Sequence, residues 1–275
     1  MIPLPEQTVA GRARVSSGWL ALREPADAAA RSRELVRLLR PHLSNPARLQ
    51  IHDLGCGTGS MGRWLAPQLP GPQHWVLHDR DDELLDEAAA RLADRARITV
   101  STRLGDLSTL TAVDFASASL VTASALLDLL TLAEAQALAG AIAGIPALLT
   151  LSVAGRVEFT PADPLDRELA AAFNDHQRRT VDGRRLLGPD AAAATVAALH
   201  RNGATTELRD SPWSLGAEHP ELTTQWLLGW VAAACEQRPE LTEAAREYAR
   251  RRQDELAAQR LDIVLHHDDV LACYG

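Results

Sequence analysis

The residues with the clearest chemistry lie in two short stretches. Asp53 precedes Gly55, Cys56, Gly57 and Gly59 in the string IHDLGCGTGS, and a second acid, Asp79, follows Gly59 by 20 residues. Glycine lets a ligand approach the backbone and adopts the left-handed φ values that tight turns need. A carboxylate at the end of the next strand can accept hydrogen bonds from both hydroxyls of a ribose. Gly57-Thr58-Gly59-Ser60-Met61-Gly62 also matches GxGxxG, the pattern of dinucleotide sites. Asp53 argues against a dinucleotide. A carboxylate just before the loop would repel a pyrophosphate and attract a ligand carrying an amino group beside a sulfonium. All 28 basic residues are arginines. Schiff-base chemistry, a Walker A lysine and a Tyr-x-x-x-Lys dyad are therefore excluded.

These residues need a frame. Strands are expected at 49–54, 75–78, 97–103, 119–123, 147–153 and 205–209, with a last one over 261–274. Helical patterns fall between them, at 61–69, 82–93, 134–143, 190–200, 222–235 and 240–259. Strands alternating with helices imply βαβ units and a mainly parallel sheet, with the ligand outside the carboxyl ends of its strands. Residues 1–18 read as an irregular arm. Residues 19–43 read as helical, with Pro25 in the first turn and Pro41 ending the run. The segment 155–188 breaks the rhythm and has the length of a cap over a site.

The ordered motifs carry a family resemblance. DLGCGTGS resembles the glycine motif of class I S-adenosylmethionine-dependent methyltransferases, and Asp79 resembles their ribose-binding acid. Gly105, Asp106 and Leu107 are similar to the element that reaches the adenine. The stretch from Leu120 to Asp128, with Ala123 and Ser124 at its centre, looks like the fourth-strand motif beside the methyl group. Arg80 departs from the family, which often places an apolar residue against the adenine there; a guanidinium can stack instead. The resemblance implies a Rossmann-like three-layer α/β sandwich. Its seven-stranded, mostly parallel sheet has one antiparallel strand, and an N-terminal helical lid is added. It divides the chain into an arm and lid (1–45), a cofactor-binding core (46–154), a cap (155–189) and a completion of the core (190–275). It also implies S-adenosylmethionine as cofactor, S-adenosylhomocysteine as product, and a small-molecule acceptor. Two alternatives stay open: an NAD(P)-dependent oxidoreductase, and a non-catalytic S-adenosylmethionine-binding subunit.

The acceptor side is less legible. Trp19, Arg23, Asp27 and Arg31 recur every four residues and would share one helix face, as a lid across the cofactor or substrate or as a solvated, salt-bridged surface with Trp19 as a packing anchor. His176 has a base of suitable pKa but also the look of an exposed helix residue. Asn174 and Arg178 share its helix and could hold a polar or anionic acceptor, as could Arg156. Asp128 could be a base, an orienter or simply an acid at a helix start. No metal site is expected, because adjacent His266 and His267 on a strand point to opposite faces. Arg250 to Arg252 alternate with acids as a solvent face does, and Cys56 reads as a small packing residue.

Composition narrows the setting. A net charge of −8 disfavours nucleic acid as a partner. No run of about 18 apolar residues marks a membrane span, and the first residues lack a secretory pattern. Three scattered cysteines fit a reducing cytoplasm. A monomer or homodimer is expected.

Overall fold

Parallel strands are buried on both faces, so the segments between them must supply cover. The computed structural model describes residues 6–9, 12–43, 48–93 and 95–275. A hairpin of β1 (Glu6–Val9) and β2 (Arg12–Val15) leads into α1 (Ser17–Ala30) and α2 (Arg33–Leu39). Then follow β3 (Leu49–Leu54), α3 (Ser60–Leu65), β4 (Gln73–Asp79), α4 (Asp82–Ala93), β5 (Ile98–Leu104), β6 (Leu120–Ser124), α5 (Leu132–Ala141) and β7 (Ala147–Thr160). After these come α6 (Asp166–Gln177), a two-residue hairpin of β8 (Thr180–Val181) and β9 (Arg184–Arg185), α7 (Ala191–Arg201) and β10 (Thr205–Asp210). The chain closes with β11 (Trp213–Leu215), α8 (Pro220–Gln237), α9 (Thr242–Ala257) and β12 (Asp262–Cys273).

The sheet runs β10-β12-β7-β6-β3-β4-β5, and β11 pairs with β12 beside β10. Strands β3 to β7 pair in parallel, and β12 runs antiparallel to its three partners. The seven-stranded Rossmann-like order is as expected, and β11 is an eighth strand. Its three residues are too few to show a period.

Helices cover both faces. Leu35, Met61 and Leu92 of α2, α3 and α4 pack on Ile51 and Trp75. Trp75 can be buried because its indole N–H reaches Gln73 Oε1 at 2.9 Å, and Gln73 in turn donates to the Ala66 carbonyl at 2.9 Å. Ala135, Ala139 and Leu199 of α5 and α7 pack on Val121, Leu149 and Val270. A third cluster joins Leu169 of α6 with Trp230 and Tyr248 of α8 and α9, against Phe159 and Ile263.

Four local expectations need correction. Residues 12–15 and 6–9 form a hairpin where an irregular arm was expected; positions 1–5, 10 and 11 lie outside the described residues. Pro25 sits inside α1, not in its first turn, because the helix begins at Ser17 with the Ser16 hydroxyl accepting the Trp19 N–H. The expected continuous helix breaks at Arg31, and Ser32 caps α2 by accepting the Leu35 N–H. Finally, residues 155–160 extend β7 rather than opening a cap. Val157 to Thr160 pair with β12 beyond a register shift between Leu265 and His267, and a second shift, between Asp268 and Val270, lies nearer the start of β7.

His52 and His78 project from the faces of β3 and β4 opposite to Asp53 and Asp79. Their rings stack at 5.2 Å, Nδ1 of one lies 3.1 Å from Nε2 of the other, and both contact Phe115. Burial lowers both pKa values to about 4, with the charges of Arg103 and His74 adding at His52 and those of His52 and Arg103 at His78. The folded pKa lies below the ordinary 6.5, so the unfolded chain binds more protons between those values. Stability should therefore be constant above pH 6.5 and fall as the pH drops toward 4. One such histidine removes about 2 kcal/mol by pH 5, and the pair titrates as a unit. Urea unfolding from pH 7.5 to 5 should show the loss in the wild type, and a smaller one in His78→Phe. Equal slopes would rule the pair out as the acid-sensitive element.

Candidate functional site

The loop after β3 takes its shape from glycine. Gly55, Gly57 and Gly59 have φ values of 61°, 52° and 82°. A Cβ on Gly55 would stand 3.0 Å from Leu126 Cδ1, and one on Gly57 would stand 3.1 Å from Leu20 Cδ1 of α1. The loop is held by the Cys56 N–H on the His78 carbonyl at 3.0 Å and the Gly59 N–H on the Cys56 carbonyl at 2.8 Å. Asp79 ties it to the end of β4. One carboxylate oxygen accepts the Gly57 N–H at 2.8 Å, and the other accepts those of Arg80 and Asp81 at 2.8 and 3.1 Å. Burial nevertheless raises the Asp79 pKa above its ordinary value. Burial also pushes the Cys56 thiol well up, with Asp53 and Asp79 adding to the effect. That leaves the sulfur protonated and unreactive.

The next strand end joins the same rim. The Gly105 N–H donates to the Asp79 carbonyl at 3.0 Å. Asp106 caps the following turn through the Ser108 N–H at 2.9 Å, and Leu107 is half-buried behind it. Arg80 is exposed at the edge.

Asp53 occupies the floor, 1% exposed. Its Oδ1 accepts the Thr122 hydroxyl at 2.7 Å, while its buried Oδ2 has no partner. Burial raises its pKa to about 7, against the lowering pull of Thr122 and Arg31. Arg31, 2% exposed, turns its guanidinium inward from the break between α1 and α2. Its Nη2 donates to Ser60 Oγ at 3.1 Å and Ser124 Oγ at 2.9 Å, and it lies 3.8 Å from Asp27. Its Nε and Nη1 are buried without partners. Asp128, in the turn after β6, also keeps a buried Oδ1 without a partner, and burial raises its pKa. Ala123, 1% exposed, packs beneath this turn. Unpaired charged atoms of both signs thus gather around the glycine loop. In a folded protein such atoms call for a ligand that completes them.

Helix α1 covers this cleft. Glu24 and Arg63 of α3 form a two-pronged ion pair at 2.7 and 2.5 Å. Burial works to raise the Glu24 pKa, but the bonds and charge from Arg63 outweigh it and hold it low. Arg23 bonds Asp27 at 3.1 Å and lies over the Trp213 ring at 4.8 Å, and Trp213 donates to Asp27 at 3.1 Å. Trp19 is half-buried and packs against the α8–α9 cluster. The fourfold spacing therefore marks one interior-facing row of α1. Asp269 anchors the hinge below it, accepting the Ser32 N–H, the Leu151 N–H and the Ser211 hydroxyl at 2.8, 2.8 and 2.6 Å.

The remaining acceptor candidates do not converge on the glycine loop. His176 faces Glu236 at 3.2 Å, and Arg178 is paired with Asp190 at 2.6 Å. Asn174 donates to the Gly155 carbonyl at 2.7 Å. Arg156 meets His266 at 2.7 Å and Glu158 at 3.5 Å. Asn174 and Arg156 do share a recess with Phe173, Gln177, Trp226 and Trp230, which neither His176 nor Arg178 lines. Sequence reading missed the inward role of Arg31. The signal was Ser32 followed by Glu34, the mark of a new helix start, which would have broken the expected run at Arg31.

A parallel sheet, a glycine loop at the end of its central strand and acids at the next two strand ends define a Rossmann-like fold with a ligand cleft outside the carboxyl ends of its strands. Residues 51–145 match the family model described as a methyltransferase domain. The chain thus carries a methyltransferase domain over that segment. Among solved structures, the YcgJ protein from Bacillus subtilis is 12% identical, with 88% of this chain and 99% of that one covered and a TM-score of 0.52. The mycolic acid cyclopropane synthase CmaA1, solved with SAH and CTAB, is 13% identical, with 94% of each chain covered and a TM-score of 0.50. At these identities the likeness lies in the fold. No curated protein matches the sequence. Among the described residues, no helix is long and apolar enough to cross a membrane, and no group of acids, histidines and cysteines is arranged to hold a metal.

Proposed function

We propose that this chain transfers a methyl group from S-adenosylmethionine to a small-molecule acceptor in the cytoplasm. The observation that carries the reading is a set of buried, unpartnered atoms of opposite charge, Asp53 Oδ2 and the Nε and Nη1 of Arg31. An amino-acid end brings an ammonium and a carboxylate together, and this set answers both. Asp53 would take the ammonium and Arg31 the carboxylate. Asp79 would hold the ribose, and Asp106 with the Leu107 N–H the adenine. A pyrophosphate fits worse, since Asp53 would oppose it.

When bound, S-adenosylmethionine supplies a methyl group on a sulfonium, already a strong electrophile. What remains for the protein is alignment and exclusion of water. Ser124, Leu126 and Asp128 stand at the end of β6, where an acceptor would approach, and Leu20 of α1 closes the other side. Asp128, with its unpartnered oxygen, would orient the acceptor or hold its proton.

Asp79→Ala tests the donor site. Loss of charge-assisted bonds of this kind costs on the order of 1.5–3 kcal/mol. Calorimetry with S-adenosylhomocysteine should show an affinity about 10 to 150 times weaker. Undiminished affinity would remove Asp79 from the site. Transfer of labelled methyl from the donor to a component of a metabolite extract tests the reaction itself.

A further inference from the structure

We infer that the recess between α6, α8 and the β7–β12 ribbon is the acceptor pocket, and that it takes an uncharged, planar aromatic ring bearing a hydroxyl or N–H group. The inference rests on the methyltransferase reading and adds the class of acceptor.

Position comes first. Ser124, at the end of β6, pairs with Thr150 of β7. The recess begins at Val153, three residues further along the strand, about 10 Å at 3.3 Å per residue. Between Val153 and Val157 the ladder is interrupted, because β7 places three residues opposite the single His266 of β12. Gly155 sits at this bulge with a φ of 69°, fixed by Asn174. Bulges of this kind re-aim side chains beside functional sites.

Shape gives the ring. Trp226 and Trp230 stack at 5.7 Å with 25° between their planes, and Phe173 lies 6.2 Å from Trp230. Trp230 is buried, and the partly exposed rings of Phe173 and Trp226 can accept a flat apolar body.

Charge is spent elsewhere. Arg156 at the mouth is countered by Glu158, which also meets His266 at 3.0 Å. Arg178 is held by Asp190 and does not line the recess. No lone cation remains among the lining residues for an anion. The orphan atoms are neutral: Gln177 Oε1 and His267 Nδ1, both buried without partners. His267 is 5% exposed, and burial, with the charge of Arg23 adding, lowers its pKa to about 4, so the ring is uncharged at neutral pH. An amide oxygen only accepts hydrogen bonds, so the ligand must bring the donor.

Phenol and anisole differ by that one hydrogen and serve as probes. Ligand-observed NMR titration of the wild-type protein, saturated with S-adenosylhomocysteine, should show phenol binding about 10 times more tightly than anisole. In Gln177→Met the two should come within about twofold, with S-adenosylhomocysteine affinity unchanged. Trp226→Leu should weaken both probes alike. Equal binding of the two by the wild type, an unchanged preference in Gln177→Met, or tighter binding of benzoate than of phenol would each overturn the assignment. The wild-type comparison needs no variant to fold. Titration of S-adenosylhomocysteine alone separates the two ideas. If it binds while the probes show no preference, only the acceptor class falls; if it does not bind, the donor site falls first.

Discussion

Asp53→Asn is expected to make the protein more stable at pH 8 and a poorer binder of its cofactor. The folded pKa of Asp53, about 7, lies above the ordinary 3.8. Between those values the folded state holds a proton that the unfolded state has lost. The group's contribution to stability is therefore full below about pH 4 and declines as the pH rises to 7. At about 1.4 kcal/mol per pH unit, the stability of Asp53→Asn relative to wild type should improve by about 2–3 kcal/mol between pH 5 and pH 8. The Thr122 hydroxyl can still donate to the asparagine carbonyl oxygen, so that bond is kept. Urea midpoints at the two pH values measure the change. Affinity should move the other way, with S-adenosylhomocysteine bound about 10 to 150 times more weakly. In the wild type, that affinity should also rise from pH 5.5 to 7 as the carboxylate ionises, and the rise should vanish in the variant. A variant that is no more stable at pH 8 and still shows the rise would mean that Asp53 is neither the strained group nor the ammonium ligand. Retaining a costly buried charge for binding is a common trade between stability and activity.

Arg31→Met separates binding from folding in a second way. The guanidinium is buried with two nitrogens unpaired, and its nearest carboxylate, Asp27 at 3.8 Å, is already bonded by Arg23 and Trp213. Replacing such a charge by an apolar side chain of similar length is often neutral or stabilising. The unfolding midpoint should therefore stay within about 1 kcal/mol of wild type or rise. S-adenosylhomocysteine should lose about 100-fold in affinity, the worth of one or two charge-assisted bonds. The control is 5′-methylthioadenosine, which has the nucleoside but no amino-acid end. Its affinity should be unchanged in Arg31→Met and Asp53→Asn, and reduced in Asp79→Ala. If Arg31→Met weakens both ligands equally, Arg31 props the cleft open rather than gripping a carboxylate.

Asp53 and Arg31 differ in how far the sequence alone reveals where they sit. The positions of Asp53 and Asp79 are legible because they depend on local spacing: a strand, a glycine turn and a second strand, all within about 30 residues. The same holds for β3 to β6 and for Gly105 to Leu107, whose backbone positions follow from alternating apolar runs. Arg31 looked like one more charge on a helix face. Its inward placement depends on the chain turning at Ser32, and that turn is held by Asp269, 237 residues away. The recess beside Gly155 is still less legible. It needs a bulge in β7, a single His266 opposite, and tryptophans of α8 that approach α6 only after the chain has closed its sheet. His176 was conspicuous for its pKa, yet its neighbour Gln177, one helical step round, is the residue that lines the recess.

By itself, the sequence determined the parallel α/β order, the glycine loop and the acids beside it, because strand period, turn chemistry and charge act over a few residues and need no partner from afar. The tertiary structure alone decided which charges go unpaired, which helix covers them and where an aromatic pocket opens. Those depend on contacts between segments separated by tens to hundreds of residues, and burial, which makes an unpaired group costly enough to mark a site, exists only once those segments have met.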